Sequence, residues 1–191
     1  MTKTRRFSVF GRFAVAAGLI AAAPAVVAVQ AGSDQKMDSG SNKMMKSPDA
    51  AFAMKAGQGG MAEVQLGQLA AQKGTSEQVK TFGQHMIDDH TKANDQLKSI
   101  AEKEGMTLPT SLNAKDQSLY TKLQSASGDK FDREYMNAMV KDHEEDVKEF
   151  QREANNGSDP QLKEFASQTL PTLQNHLQMA KSAQSSMKGS K

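Results

Sequence analysis

The sequence predicts an all-α protein: an up-and-down four-helix bundle with a short extra helix between helices 2 and 3. Three observations predict it. Apolar residues recur at three- and four-residue steps through four long stretches, the spacing of one helix face. No stretch alternates with period two, the mark of a strand. Capping and stop residues stand where each periodic stretch begins and ends.

Taken in chain order, the 191 residues begin with a basic stretch holding Lys3, Arg5, Arg6 and Arg12, then an Ala- and Val-rich run from Phe13 to Val29. Val29-Gln30-Ala31 places small residues where a signal peptidase reads. Residues 1–31 are therefore expected to be a signal peptide cleaved near Ala31, which puts the mature protein in the periplasm or outside the cell. A retained anchor is the alternative, but crossing ~30 Å of hydrocarbon takes about 20 apolar residues, and this run is short and weakly apolar. Arg5-Arg6 fits a twin-arginine signal loosely, since Phe7 comes one place early; a plain basic stretch accounts for it. No membrane span is expected once the signal is removed.

Residues 32–47 are small, polar and aperiodic, and read as a flexible linker. Met37, Met44 and Met45 there could bind Cu(I) through thioether sulfur, although composition fixes no ligand geometry. Helix 1 is expected from Pro48 to about Lys73, with Ser47 as its cap and Gly74 as its stop. A capping box at Thr75-Ser76-Glu77-Gln78 opens helix 2, which runs to Glu104 before Gly105 and Pro109. The short helix spans Ala114 to Ser125. After Gly128, Asp129 is placed to cap a long helix from Lys130 to Ala154. Asn155-Asn156-Gly157 is a turn, and Ser158-Asp159-Pro160 opens the last helix, which continues to about Met187 and leaves residues 188–191 as a disordered tail. Pro171 inside that helix should kink it. The bundle domain is thus residues 48–187. Its core is expected from Phe52, Leu66, Leu69, Val79, Phe82, Met86, Leu97, Ile100, Phe131, Tyr135, Met139, Phe150, Leu162, Phe165, Leu173 and Leu177.

Composition narrows the function. The chain has no Cys, which excludes disulfide scaffolds, thiol nucleophiles, Fe–S clusters, Cys-type zinc sites and lipoprotein attachment. The formal charge is +2, but residues 1–31 carry four basic and no acidic groups. The remainder holds 20 Lys+Arg against 22 Asp+Glu, a net −2. No basic patch is concentrated anywhere, so no nucleic-acid partner is expected.

The informative feature is one break in each apolar stripe: Glu63, His90, His143 and His176. Glu63 stands eleven residues before Gly74 and His90 fifteen after Thr75, while His143 stands fourteen before Gly157 and His176 eighteen after Ser158. At 1.5 Å per residue, each hairpin pair differs in height by only about 6 Å. The four groups can therefore meet in the interior, where burial costs several kcal/mol unless they are paired or hold a metal. A three-His, one-carboxylate set suits a divalent transition metal: Zn, Fe, Mn, Cu or Ni. Asp89, Asp142 and Asp146 are candidates to orient the ligands from outside, though helical phase points most of the carboxylates around His143 toward water. An internal Glu–His network is the other reading. His85 falls off the stripe and reads as surface. Gly57, Gly59 and Gly60, a turn before Glu63, mark either close helix approach or a break in helix 1.

The run FAMKAGQGGMAEVQLGQLAAQKGTSEQVKTFGQHMIDDHTKAN, with GDKFDREYMNAMVKDHEEDVKEF and LPTLQNHLQMAK, resembles a widespread group of secreted bacterial proteins with a ferritin-like bundle. The group is known as a domain of unknown function, often labelled an outer-membrane or periplasmic protein. The resemblance covers about residues 49–185. Its family positions map onto Glu63, Asp89-His90, Phe131-Asp132, His143, and Leu170-Pro171 with His176. It implies the ferritin-like fold and no activity. Di-iron ferritins use Glu-x-x-His on two helices; here Ile87, Val140 and Leu173 occupy the position three before each His, and the inward carboxylates look too few for two metals.

Two functions fit. One is an exported bundle that binds a metal through the interior Glu/His set in a protective or storage-like role. The other is a non-catalytic cell-envelope module, acting through its surface on an envelope protein partner or as a homo-oligomer. No nucleophile motif or phosphate loop stands out, which weighs against an enzyme.

Overall fold

The computed structural model describes residues 47–189, and side chains through residue 187. The expected signal peptide, the linker with its three methionines and the last two residues lie outside the described residues. The described residues form five α-helices: α1 (Pro48–Lys73), α2 (Glu77–Lys103), α3 (Ala114–Ser125), α4 (Gly128–Asn156) and α5 (Pro160–Gly189). No described residue is in a strand. Among the described residues, no helix is long and apolar enough to cross a membrane.

Local chemistry starts some helices and tertiary contact starts others. Ser47 caps α1 by accepting from the Ala50 amide at 3.0 Å, and Asn113 caps α3 by accepting from Asp116 at 2.9 Å. The cap of α2 is Ser76, accepting from Val79, one residue after the Thr75 of the expected capping box. Thr75 is held outside the helix because Asp132, near the start of α4, accepts from the amides of Thr75 and Ser76, each at 2.9 Å. Asp129 does not cap α4. The helix begins earlier, at Gly128 after Ser127, without a side-chain cap. Asp49 mirrors Asp132: from the first turn of α1 it accepts from Ser158 at 3.1 Å and Asp159 at 3.0 Å. Asp159 then caps α5 through the Leu162 amide at 2.8 Å.

These two carboxylates set the chain directions. Asp132 ties the start of α4 to the α1–α2 loop, and Asp49 ties the start of α1 to the α4–α5 loop. Hence α2 and α4 start at the same end and run parallel. The up-and-down order holds within each hairpin but fails across the link between them. That link crosses the bundle lengthwise, with Glu104 accepting from Gln161 at one end and Lys73 reaching the Gln124 carbonyl at the other. A helix the length of α2 spans about 40 Å, and α3 covers part of that distance on the way back.

The core is two apolar clusters. One gathers Leu66, Phe82, Met86, Phe131, Tyr135 and Met139; the other gathers Phe52, Leu97, Phe150, Leu162, Phe165 and Leu173. Two expected core residues fall short. Ile100 is half-buried against the second cluster, and Leu177 is half-buried in a surface groove. Ala180 and Ala183 carry the inward stripe of α5 instead. Pro171 leaves α5 unbroken, and His85 is exposed as expected.

Glycine works here by vacating space. α1 runs unbroken through Gly57, Gly59 and Gly60, where Gly60 lies tightly against the Asn94 side chain of α2, and a close backbone approach follows further on, at Gly67. A Cβ on Gly67 would meet the Gly83 carbonyl at 2.7 Å, and one on Gly83 would meet the Gly67 carbonyl at 2.8 Å. Gly83→Ala should therefore push α1 and α2 apart and destabilise the protein by about 1–3 kcal/mol, the usual cost of overpacking. A urea melt measures this, and an unchanged midpoint would show that the helices can separate freely. The helix stops also rest on space. Gly74 and Gly157 have φ of −53° and −55°, which any residue can adopt. A Cβ there would strike the Ala70 and Glu153 carbonyls at 2.6 and 2.7 Å.

Glu153, 3% exposed, packs beside that second turn. Burial, then the neighbouring Asp49, pushes its carboxyl up to about 7. An acid whose folded value is raised contributes stability below its ordinary range of about 4.5, and loses it as pH rises through the folded value. Glu153→Gln should thus be more stable than the parent at pH 8, by on the order of 1 kcal/mol because nearby solvent screens part of the effect. The advantage should vanish at pH 5. Paired denaturant melts at the two pH values test this.

Candidate metal centre

Between the two apolar clusters lies a polar layer to which each long helix contributes one buried residue: Glu63 at 1% exposure, His90 at 5%, His143 at 0% and His176 at 1%. The structure brings together all four side chains that broke the apolar stripes. His90 and His143 both contact Glu63: His90 Nδ1 lies 2.8 Å from Oε2, and His143 Nε2 lies 3.3 Å from Oε1. The three imidazole centroids are 5.4–5.8 Å apart. One nitrogen of each ring lies within 4.8 Å of the others. Phe82 walls the group, with its ring 6.1 Å from His143 and 6.3 Å from His176.

Each imidazole is held by one nitrogen. His143 Nδ1 lies 3.0 Å from the Met139 carbonyl, one turn back on α4. A carbonyl only accepts, so Nδ1 carries the proton and Nε2 presents its lone pair. His176 Nε2 lies 3.0 Å from Asp89 Oδ2, which makes Asp89 a direct partner of the centre. His90 is held through Nδ1 against Glu63. The opposite nitrogens, His90 Nε2, His143 Nε2 and His176 Nδ1, are buried and have no hydrogen-bond partner. Buried polar atoms are paired in the great majority of proteins, so two bare nitrogens beside a third that meets only Glu63 Oε1 at 3.3 Å call for an explanation.

The electrostatics keep the rings neutral. Burial, then His90 and His176, lowers His143 to about 3. Burial, then His90, lowers His176 to about 4, and burial lowers His90. Glu63 is pushed well above the carboxylate range by burial, then by Asp142 and Asp116. Tyr135, fully buried beside Phe82, has a hydroxyl without a partner and is raised by burial and by Glu63.

A second cluster adjoins the first. Carboxylate oxygens of Glu63, Asp142 and Asp146 lie within 4.8 Å of one another. Asp142 and Asp146 are half-buried, contrary to the expectation that the carboxylates around His143 mostly face water. Burial, then Glu63 and Asp142, pushes Asp146 well up, and burial raises Asp142 to about 6. The inward carboxylates are thus more numerous than the stripes implied. The sequence did hold a signal for Asp146: it stands eleven residues before Gly157, as Glu63 stands eleven before Gly74, and Asp132 and Asp49 each stand twenty-five before those glycines. The two hairpins share one register. A cleft of about 450 Å³ between α1, the start of α3 and α4 opens onto this cluster, lined in part by Gly59, Lys115, Asp116, Asp142 and Asp146.

No curated protein matches the chain. A solved structure, the crystal structure of a DUF305 fragment from Deinococcus radiodurans, is 10% identical, with a TM-score of 0.64 over 72% of this chain and 95% of that one. At that identity the likeness is one of fold alone. The family model described as a domain of unknown function (DUF4142) matches residues 34–183. The match spans the bundle up to the last turns of α5 and includes every residue of the polar layer, and the chain belongs to the DUF4142 family.

Proposed function

We propose that this protein is an exported, ferritin-like bundle that holds a divalent transition metal in its interior. His90, His143 and His176 are the nitrogen ligands, and Glu63 is the fourth group. The observation that carries this reading is the set of three buried imidazole nitrogens without partners, each on a ring whose other nitrogen is already held. Metal-binding histidines characteristically use the second nitrogen to bond a carboxylate or a carbonyl, which fixes tautomer and orientation. Glu63, Met139 and Asp89 play those parts for His90, His143 and His176. A purely structural network would spend its lone pairs on donors, and here only His143 Nε2 has a carboxyl near it, Glu63 Oε1 at 3.3 Å, while His90 Nε2 and His176 Nδ1 have no partner. Imidazole-rich sets favour Zn, Cu, Ni or Fe over Mg or Ca. The parallel course of α2 and α4, joined by a long crossing link, supports the ferritin-like topology. The basic, apolar, small-residue order of residues 1–31 supports export. Burial of the ligands favours sequestration over turnover, in line with a protective or storage-like role.

Isothermal titration of the metal-stripped chain with Zn²⁺ tests the reading. One ion per chain, with a rise in melting temperature that a chelator reverses, is expected. At a free concentration of 100 times Kd the stabilisation is about 2.7 kcal/mol. A stripped protein that binds no Zn²⁺, Cu²⁺, Ni²⁺ or Fe²⁺ would return the polar layer to an internal network.

A further inference from the structure

We propose that the cleft between α1, the start of α3 and α4 is the entry route of the metal, with Asp146 passing the ion from the cleft to Glu63 and His90, and Gly59 keeping the way open by its missing side chain. This deepens the metal reading above and rests on it. Glu63, His143 and His176 are each exposed by 1% or less, so an ion needs a defined way in. An interior void of about 10 Å³ touches Glu63, His90 and Asp146, room for about one water-sized guest. Ala56, Asp146 and Phe150 line both this void and the cleft of about 450 Å³, and so form the partition between them. Of the three, only Asp146 is polar, and one of its oxygens lies within 4.8 Å of a Glu63 oxygen. A cation can therefore pass from Asp146 to Glu63 without losing an oxygen ligand. Five carboxylates line the cleft against three lysines. Two of those lysines are paired, Lys55 with Glu149 at 3.1 Å and Lys115 with Glu145 at 3.7 Å, and their side chains are 63% and 67% exposed, so the mouth meets solvent. A cleft lined mainly by one sign of charge concentrates the opposite ion. Two other grooves approach the centre, but through rings: one through Phe82, which walls the imidazoles, the other through Phe165, which lines the void. A ring offers a divalent ion no oxygen or nitrogen in place of its water, and an unpaired charge is costly to desolvate. Gly59 lines the cleft opposite Asp146, where a Cβ would meet Asp146 Oδ1 at 3.9 Å, an ordinary contact. A longer side chain would start there without a clash and extend over Asp146.

Stopped-flow mixing of the full, metal-stripped chain with Zn²⁺ and a zinc-sensing dye reads the association rate, and mixing of the loaded chain with excess dye reads release. Gly59→Leu should slow both at least about tenfold, because entry and exit then wait for local opening of the bundle. A blocked passage slows the two alike, so Kd should stay at the parent's value. Ser182→Leu, in a separate groove on α5, should leave both rates unchanged. Asp146→Asn should slow association at least about tenfold, the low end of what a charged cleft adds to an on-rate, with one Zn²⁺ still bound per chain. Leucine is a better helix former than glycine, so Gly59→Leu should melt no lower than the parent; Asp146→Asn carries the test if it does not fold. Parental association rates in these two variants overturn the route and leave the metal reading standing. Slower association of Gly59→Leu with unchanged release and a weaker Kd would place its effect on the bound state and also overturn the route. A parent chain that takes up no Zn²⁺ overturns both.

Discussion

Replacing His143 by alanine is expected to lower the affinity for Zn²⁺ by at least about a hundredfold, since loss of a mere outer partner typically costs ten- to a hundredfold. His143 is the most enclosed of the three rings at 0% exposure, and its Nε2 lies between the other imidazoles and Glu63 Oε1. Its tautomer is fixed by the Met139 carbonyl, so no reorganisation is needed before it binds. The same substitution leaves a void beside Phe82. It also deletes a buried nitrogen whose single contact, Glu63 Oε1 at 3.3 Å, is long for a hydrogen bond, and a poorly paired polar group costs about 1–3 kcal/mol. The two effects on the metal-free protein oppose each other, and the variant should stay folded. Titration calorimetry on parent, His143→Ala and the exposed control His85→Ala measures the difference. Unchanged affinity in His143→Ala would remove His143 from the ligand set.

The second large effect concerns pH. An ordinary imidazole near 6.5 is about 97% protonated at pH 5, so three such ligands would together lose about four to five orders of magnitude in affinity. In this protein burial, then the neighbouring imidazoles, holds His143 near 3 and His176 near 4. The folded chain keeps them as free bases down to about those values. Zn²⁺ affinity should fall no more than about tenfold between pH 7 and pH 5 through these rings. The sign for stability follows separately. The unfolded chain takes up protons at the ordinary value, so the contribution of these rings is present above about 6.5 and is lost as pH falls toward 4 and 3. Asp142, raised to about 6, works in the opposite sense: its contribution is present at low pH and lost as pH rises through about 6. Glu63, raised by burial, must also give up a proton to bind, so binding measurements at pH 5 and 7 on Glu63→Gln are the clean test, and a collapse of its affinity at pH 5 would show that the rings titrate as exposed histidines.

Much of this was legible in the sequence. The helical period and the Ser47 cap located the elements, because a helix face and a cap are local properties. The breaks at Glu63, His90, His143 and His176 marked the polar layer, because a charged group on a core stripe is conspicuous against its apolar neighbours. Asp142 and Asp146 were harder to place. They flank the His143 stripe, and only the packing of α1 and the start of α3 against α4 withdraws them from water. Nothing local marked what Asp49, at the start of α1, and Asp132, near the start of α4, would hold. Their partners are the amides of loops more than fifty residues away, a distance along the chain that local pattern does not reach. The Gly67–Gly83 crossing was hidden for the same reason, since a missing Cβ matters only when another backbone arrives there.

The sequence by itself determined which residues are helical, which face of each helix is buried, and that one polar group per long helix sits at mid-height. The tertiary structure alone decided the parallel course of α2 and α4, which nitrogen of each imidazole is held and which is bare, and the meeting of Glu63 with two aspartates. The physical reason is one of range. Periodicity and capping act over a few residues, whereas direction, tautomer and carboxylate clustering depend on side chains and amides brought together from opposite hairpins.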